Sequence, residues 1–151
     1  MRSAAVCVVA FACALTVDLL TKVYAVERLH GPHGIVFNDR PHDLAMRIDV
    51  SLLTIAAVFL LERAARRRGL GRLLLPWIGV GVLTGGTLGN GVSTYLWSAG
   101  VPDFIPVDGG WMWNVADFEI VCGLLGTALS LVGSAVYAYA RHRLRPRPAA
   151  L

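Results

Sequence analysis

The sequence has little charge for its length. Of its 151 residues, 16% are Asp, Glu, Lys or Arg, whereas 56% are hydrophobic, and the mean hydropathy is +0.60. An ordinary soluble domain carries about 25% charged residues, so this composition excludes a typical soluble protein. It predicts a small integral membrane protein, with a single membrane domain over residues 1–151 and no separate soluble domain.

The sequence also lacks the short motifs of several hydrolase classes. It contains no Gly-x-Ser-x-Gly, no His-Glu-x-x-His and no Walker loop, which argues against the serine hydrolases, zinc peptidases and nucleotide hydrolases that carry them. The cysteines are odd in number and lie in apolar runs, as small buried hydrophobes do; they are Cys7, Cys13 and Cys122. Three histidines share one loop at irregular spacing; they are His30, His33 and His42. We therefore predict no metal site and no cofactor.

Four apolar runs predict four membrane-spanning helices. They cover about residues 4–24, 44–61, 73–97 and 115–140, and each is close to the ~20 residues that cross ~30 Å of hydrocarbon. Helices are expected because lipid offers no partners to backbone groups. The first run could instead be a cleaved signal peptide with a cleavage site at Ala12-Cys13-Ala14, but the apolar run continues to Leu20. The predicted fold class is an all-α membrane protein with four transmembrane helices.

The arginines predict the orientation of these helices. The loop 62–72 and the tail after residue 140 are strongly basic, whereas the loop 98–114 contains no Lys or Arg. Arginines beside apolar spans usually mark the cytoplasmic side, an interpretation we favour over nucleic-acid binding. Both termini are therefore predicted to be cytoplasmic, and the loops 25–43 and 98–114 are predicted to face outward.

Two local patterns predict details of packing. Asp108-Gly109 lies between apolar stretches of the outer loop, which is typical of a hairpin turn. We predict two short strands, near residues 103–107 and 111–113, as a small extracytoplasmic β-element. In the third run, Gly81, Gly85 and Gly89 follow the small-xxx-small spacing that lets helices approach closely.

Two aspartates lie at the ends of the predicted spans: Asp103 precedes the fourth span, and Asp117 lies within its first turn. Ionisable groups beside a span are functional candidates because a charge at the bilayer boundary is costly. Two neighbouring carboxyl groups do not both ionise easily, so they share a proton and provide a base for water and an acid for a leaving amine. Such a pair can hydrolyse a peptide bond without a covalent intermediate. A structural alternative is that Asn114 and Asp117 cap the fourth helix.

Further polar residues accompany this pair. Asp18 and Lys22 are four residues apart on one helix face, where they form either part of a site or a self-neutralising pair with Lys22 reaching the interface. Asn90, in the third run, either braces helices or holds a substrate carbonyl. Asp49 and Glu119 are carboxylates inside spans, and together with Asp18 they leave a small proton-transporting subunit as an alternative.

Four blocks of the sequence resemble, in order, the motifs of the signal peptidase II family. They are Asp18-Leu-Leu-Thr-Lys22, Gly85-Gly-Thr-Leu-Gly-Asn90, Val101-Pro-Asp103-Phe-Ile105 and Asn114-Val-Ala-Asp117. Members are four-span bacterial aspartic peptidases that remove the signal peptide of a prolipoprotein just before its diacylglyceryl-modified cysteine. The resemblance implies that Asp103 and Asp117 form the catalytic dyad.

The resemblance also implies roles for the remaining residues. Asn90 and Asn114 would hold the substrate or the dyad, Asp18 and Lys22 would brace the first helix, and Asn38 would correspond to an asparagine of the first outer loop. The implied location is the bacterial cytoplasmic membrane, with a multi-pass chain and an active site at the outer face. The implied partners are a prolipoprotein with a lipidated cysteine and membrane lipids, without nucleic acid, and we expect a monomer.

The sequence departs from the family pattern just after Asn90. The family usually carries an Asp-Arg pair there, and the arginine is expected to contact lipid or substrate, but this chain has Ser93 and Thr94. That departure motivates the alternative of a non-catalytic paralogue that binds lipidated peptides or a partner in a membrane complex.

Overall fold

The computed structural model describes residues 2–29, 34–39, 42–67 and 73–143. Its four helices are α1 (Arg2–Arg28), α2 (His42–Arg67), α3 (Leu74–Leu96) and α4 (Val115–Arg143). Four strands of three residues lie in the connections; they are β1 (Val36–Asn38), β2 (Val101–Asp103), β3 (Ile105–Val107) and β4 (Trp111–Trp113). Some residues of the predicted histidine and arginine clusters, at 30, 33, 68, 72, 145 and 147, lie outside the described residues.

The surface of the long helices is apolar. By length and composition α1, α2 and α4 could each cross a membrane, with mean hydropathies of 2.2, 2.1 and 1.9, and only 11% of each span is buried. Large side chains such as Leu53 and Leu129 are each 71% exposed. An apolar surface of this extent is not stable in water, so these helix faces are suited to lipid.

Helix α3 is at the centre of the packing and contacts α1 and α4 extensively and α2 more lightly. Its glycines allow the backbones to touch, as their spacing predicted. A methyl group on Gly81 would lie 2.5 Å from the carbonyl oxygen of Cys7 in α1, and one on Gly85 would lie 2.9 Å from that of Phe11. On the other side, a methyl group on Gly123 of α4 would lie 2.7 Å from the carbonyl oxygen of Gly79. The helices therefore pack without intervening side chains at these points.

The predicted hairpin is present, but the β-element is larger than the sequence indicated. Strand β3 pairs antiparallel with β4, and the turn between them contains Gly109 and Gly110 with φ values of 87° and 78°, which glycine adopts without steric cost. The predicted strand over residues 103–107 is divided at Phe104. The chain changes partner there, because β2 pairs antiparallel with β1, with Val36 opposite Asp103. Strand β1 was not predicted.

A polar cluster ties three helices together at the end of α2. The carboxylate of Glu62 accepts hydrogen bonds from Ser3 of α1 at 3.2 Å, from Arg66 of α2 and from the indole N–H of Trp77 in α3. Glu62 and Arg66 both lie in α2, beyond the apolar run that was predicted to end near residue 61, so the helix continues past that run. Buried carboxylates require such donors, and these three fix the relative positions of α1, α2 and α3.

Candidate active site

Asp103 ends strand β2 and is buried, with 5% of its surface exposed. The side-chain amide of Asn114 donates to Asp103 Oδ1 at 2.6 Å, and that of Asn38 donates to Oδ2 at 3.5 Å. Pairing of β1 with β2 brings Asn38 to this position, because Asn38 lies opposite Val101. The two strands thus join the first outer loop to the aspartate.

Asp117 lies in the first turn of α4, where it forms a reciprocal cap with Asn114. The backbone N–H of Asn114 donates to Asp117 Oδ2 at 3.0 Å, and the N–H of Asp117 donates to Asn114 Oδ1 at 3.2 Å. This is a capping box, which satisfies two N–H groups at the helix start. The predicted capping role of Asn114 and its predicted closeness to Asp103 are therefore both present, since its oxygen caps the helix while its amide nitrogen holds Asp103.

Asn90 links Asp117 to the ion pair of α1. Its amide nitrogen donates to Asp117 Oδ1 at 3.2 Å, and its oxygen accepts from Lys22 Nζ at 2.7 Å. Lys22 also donates to Asp18 at 2.7 Å, and Asp18 accepts the N–H of Ala116 at 3.0 Å. Because a lysine ammonium only donates, it fixes which end of the Asn90 amide faces Asp117.

The ion pair is fully buried, with both side chains 0% exposed. The alternative in which Lys22 extends to the membrane interface is therefore wrong. Asp18 also lies directly against Gly89 of α3, where a side chain would collide with its carboxylate. The tight approach of α1 and α3 is what encloses the pair.

A cavity of about 210 Å³ opens beside these residues. Its lining combines polar groups from both outer connections and from α2, α3 and α4; it includes Asn38, Arg47, Asn90, Asp103, Asn114 and Asp117. Five of the seven residues predicted for the site therefore line one cavity. The other two, Asp18 and Lys22, do not line it, but Lys22 donates a hydrogen bond to Asn90, which does. Among the described residues no cluster of three or more His, Cys, Asp or Glu is arranged to hold a metal ion.

Burial raises the pKa of the Asp103 carboxyl from 3.8 to about 6, and the charge of Asp117 adds to this effect. The hydrogen bond from Asn114 acts in the opposite direction. Because the folded protein holds this proton more tightly than the unfolded chain, Asp103 contributes stability that is fully present below pH 3.8 and is lost as the pH rises through about 6. The Asp103 carboxyl therefore holds a proton more readily than a free aspartate does.

Comparison with known proteins identifies the family. A model described as "Signal peptidase (SPase) II" matches residues 32–133. The "Lipoprotein signal peptidase" of Rhodococcus jostii (strain RHA1) is 34% identical over 141 residues, which cover 79% of this chain and 69% of that protein. The chain belongs to the signal peptidase II family. It is accordingly an aspartic peptidase of a bacterial membrane, as the four sequence blocks implied.

Two solved structures share the fold of this signal peptidase II chain. Both are bacterial membrane enzymes determined by the in meso method, at 1.9 and 2.3 Å resolution. The first has a TM-score of 0.56 and 17% identity, covering 83% of this chain and 91% of its own. The second has a TM-score of 0.52 and 15% identity, covering 94% and 93%.

One residue of the site was not predicted from the sequence of this signal peptidase II chain. Arg47 of α2 lines the cavity and donates from Nη1 to Asp117 Oδ1 at 2.7 Å. A charged residue inside an apolar run could have indicated Arg47, but Arg47 lies in none of the four blocks.

The carboxylates at 49 and 119 do not join the site: Asp49 is exposed, and Glu119 Oε2 is buried without a hydrogen-bond partner among the described residues.

Proposed function

We propose that this protein removes the signal peptide of prolipoproteins just before a diacylglyceryl-modified cysteine, with Asp103 and Asp117 as its catalytic dyad. The relative from Rhodococcus jostii is named a lipoprotein signal peptidase, which supports the substrate class. One observation carries the assignment of the dyad. Both carboxyl groups are hydrogen-bonded to Asn114, Asp103 through the side-chain amide and Asp117 through the backbone N–H, at the wall of one cavity.

The chemistry follows from two carboxyl groups that share one proton. One carboxylate takes a proton from a water molecule, whose oxygen forms a bond to the scissile carbonyl carbon, while the other carboxylic acid donates its proton to the carbonyl oxygen. The tetrahedral intermediate then collapses, the C–N bond breaks, and the leaving nitrogen receives the proton taken from water. No covalent enzyme intermediate, metal ion or cofactor is required.

The supporting residues prepare the dyad before the substrate arrives. Asn114 and Asn90 restrict the rotation of the carboxyl groups, and the buried pair of Asp18 and Lys22 fixes Asn90. Asn38 holds the second oxygen of Asp103. Preorganised polar groups lower the activation barrier because they need not reorient during the reaction.

The membrane arrangement that fits this function has four crossing helices, with α3 enclosed by the other three. Both termini face the cytoplasm, because the basic residues lie in the loop 62–72 and after residue 140. The β-element and the dyad then face outward, where the cysteine of a translocated prolipoprotein emerges. The substrate enters laterally from the bilayer with its acyl chains in lipid, and the protein acts as a monomer with a single domain over residues 1–151.

The test is cleavage of a diacylglyceryl-modified peptide by the purified protein in detergent. We expect Asp103→Asn and Asp117→Asn each to lower kcat at least about 10²–10⁴-fold, the usual contribution of general acid–base catalysis. Asp108→Asn is the matched control, because Asp108 is an exposed aspartate of the hairpin turn in the same outer connection. It should leave kcat unchanged.

Three outcomes would contradict the proposal. Normal cleavage by either dyad variant would remove that residue from the dyad. An equal loss in Asp108→Asn would indicate damage to the loop. Binding of the lipidated peptide without turnover by the unaltered protein would support the non-catalytic paralogue instead.

A further inference from the structure

Among the described residues that line the cavity, Arg47 is the only one with a cationic side chain. It is carried by α2, the helix that packs most lightly on α3. Its guanidinium contacts Asp117 at 2.7 Å, and the two side chains are 25% and 12% exposed. An ion pair that is mostly withdrawn from solvent is weakened little by screening, so Arg47 acts strongly on this carboxyl group.

The two aspartates have unlike hydrogen-bond surroundings. Asp117 accepts hydrogen bonds from three donors among the described residues: Arg47 and Asn90 donate to Oδ1, and the N–H of Asn114 donates to Oδ2. Each hydrogen bond donated to a carboxylate favours its charged form, and a bond from a guanidinium does so more strongly than a bond from a neutral amide. Among the described residues, Asp103 accepts hydrogen bonds from side-chain amides only and forms no ion pair.

We propose that Arg47 is a positioning residue of the dyad, which holds Asp117 as the carboxylate and so leaves the shared proton on Asp103. The inference rests on the proposed function and assigns the two chemical roles within it. Asp117 is the base that takes a proton from water, and Asp103 is the acid that donates to the carbonyl oxygen. After the C–N bond breaks, Asp117 transfers its proton to the leaving nitrogen and Asp103 recovers its own, so the dyad returns to its starting state.

Other charged groups near Asp117 do not replace Arg47. Lys22 reaches it only through Asn90, and its charge is offset by direct contact with Asp18. The other described charged groups that border the site or lie close along α4 are acidic, and they favour protonation of a neighbouring carboxylate; they are Asp39, Asp103 and Glu119. Helix α3 contributes the neutral Asn90 but no charged residue. Within the part of the chain that the structure describes, Arg47 is therefore the one cation in direct contact with the dyad.

The first test is the pH profile of kcat/KM for the lipidated peptide with Arg47→Gln, Arg47→Lys and the control Arg63→Gln. We expect Arg47→Gln to move the acidic limb, which is the fall in kcat/KM at low pH, to higher pH, because a carboxylate that loses an adjacent opposite charge is protonated more easily. KM should change little, and Arg47→Lys should largely restore the position of the limb. Arg63→Gln removes an exposed cation of the same helix and should have no effect.

The proposal is overturned if the acidic limb stays in place, if KM alone rises, or if Arg63→Gln shifts the limb equally. A rise in KM alone would mean that Arg47 contacts the substrate instead of the dyad.

A second test needs no turnover, so its failure is separate from failure of the proposed function. Infrared difference spectra of the substrate-free protein across pH 4–8 detect protonated carboxyl groups. The unaltered protein should show an acid band that Asp103→Asn removes and Asp117→Asn keeps. Arg47→Gln should add a second acid band at low pH, removed by Asp117→Asn. An acid band that disappears with Asp117→Asn in the unaltered protein would refute the assignment.

Discussion

Replacing Lys22 by methionine tests how strongly folding depends on the buried ion pair with Asp18. Methionine has a similar length and volume but cannot donate to Asp18 or to Asn90. Of the donors that the structure describes, the carboxylate of Asp18 would keep one, the N–H of Ala116, although both side chains of the pair are 0% exposed. Removing one partner of a buried pair costs about 3–5 kcal/mol, because the remaining charge has no compensation.

The size of the effect can be measured by thermal unfolding in detergent micelles, followed by tryptophan fluorescence. At about 2–4 °C per kcal/mol for a chain of this size, a loss of about 3–5 kcal/mol lowers Tm by about 6–20 °C. Arg63→Met is the control, since it removes an exposed cation and should stay within about 0.5 kcal/mol of the unaltered protein.

The double variant Asp18→Asn with Lys22→Met separates charge from packing. Asparagine has the shape of aspartate, which matters because Asp18 is in contact with Gly89. Without the unpaired charge, the double variant should be more stable than Lys22→Met by at least about 2 kcal/mol. Cleavage should remain low in both, because Asn90 has lost the donor that orients it. The reasoning is refuted if Lys22→Met unfolds near the Tm of the unaltered protein, or if the second substitution restores no stability.

Two further predictions concern packing and pH. Gly123→Ala should lower the free energy of unfolding by about 1–3 kcal/mol, because the methyl group would lie 2.5 Å from the backbone nitrogen of Leu83. The control Gly126→Ala places its methyl group in open space and should be neutral or slightly stabilising. Equal losses of stability in thermal unfolding of the two variants would contradict the close approach of α4 to α3 at Gly123. Asp103→Asn should raise the free energy of unfolding by about 1–3 kcal/mol above pH 6 but have little effect at pH 4, because the pKa of this buried carboxyl is raised to about 6. A difference in stability between the variant and the unaltered protein that does not vary with pH in the same assay would contradict this prediction.

Hydropathy located the four helices well but not all of their ends. Helix α4 begins at Val115 as predicted, because Asn114 is a strong capping residue with a partner at Asp117. Helices α1 and α2 extend to Arg28 and Arg67, beyond the apolar runs. The apolar run measures what lipid can cover, whereas the helix continues for as long as its polar side chains find partners or solvent. The burial of Lys22 was not predictable for a related reason, since periodicity gives the shared face with Asp18 but not the helix that covers it.

The sequence blocks identified groups that act together locally, but they did not reveal contacts made by the fold. Asn114 and Asp117 are three residues apart, so their capping box could be expected from spacing alone. Arg47 is 70 residues from Asp117 in the sequence. Asn38 of β1 is 65 residues from Asp103 of β2, to which it donates a hydrogen bond. Such pairs depend on how α2 and the first outer loop lie against the rest of the molecule, which no local pattern specifies.

Arg47 also changes the interpretation of Ser93 and Thr94, where the family usually has an Asp-Arg pair. Their hydroxyls donate to carbonyl oxygens of their own helix, Ser93 to Gly89 at 2.6 Å and Thr94 to Gly91 at 2.7 Å, so neither supplies a positive charge to the cavity. The cavity nevertheless contains an arginine, carried by α2 and bonded to Asp117. An arginine bonded to Asp117 is less available to the substrate. We therefore expect substitutions at Arg47 to affect kcat more than KM.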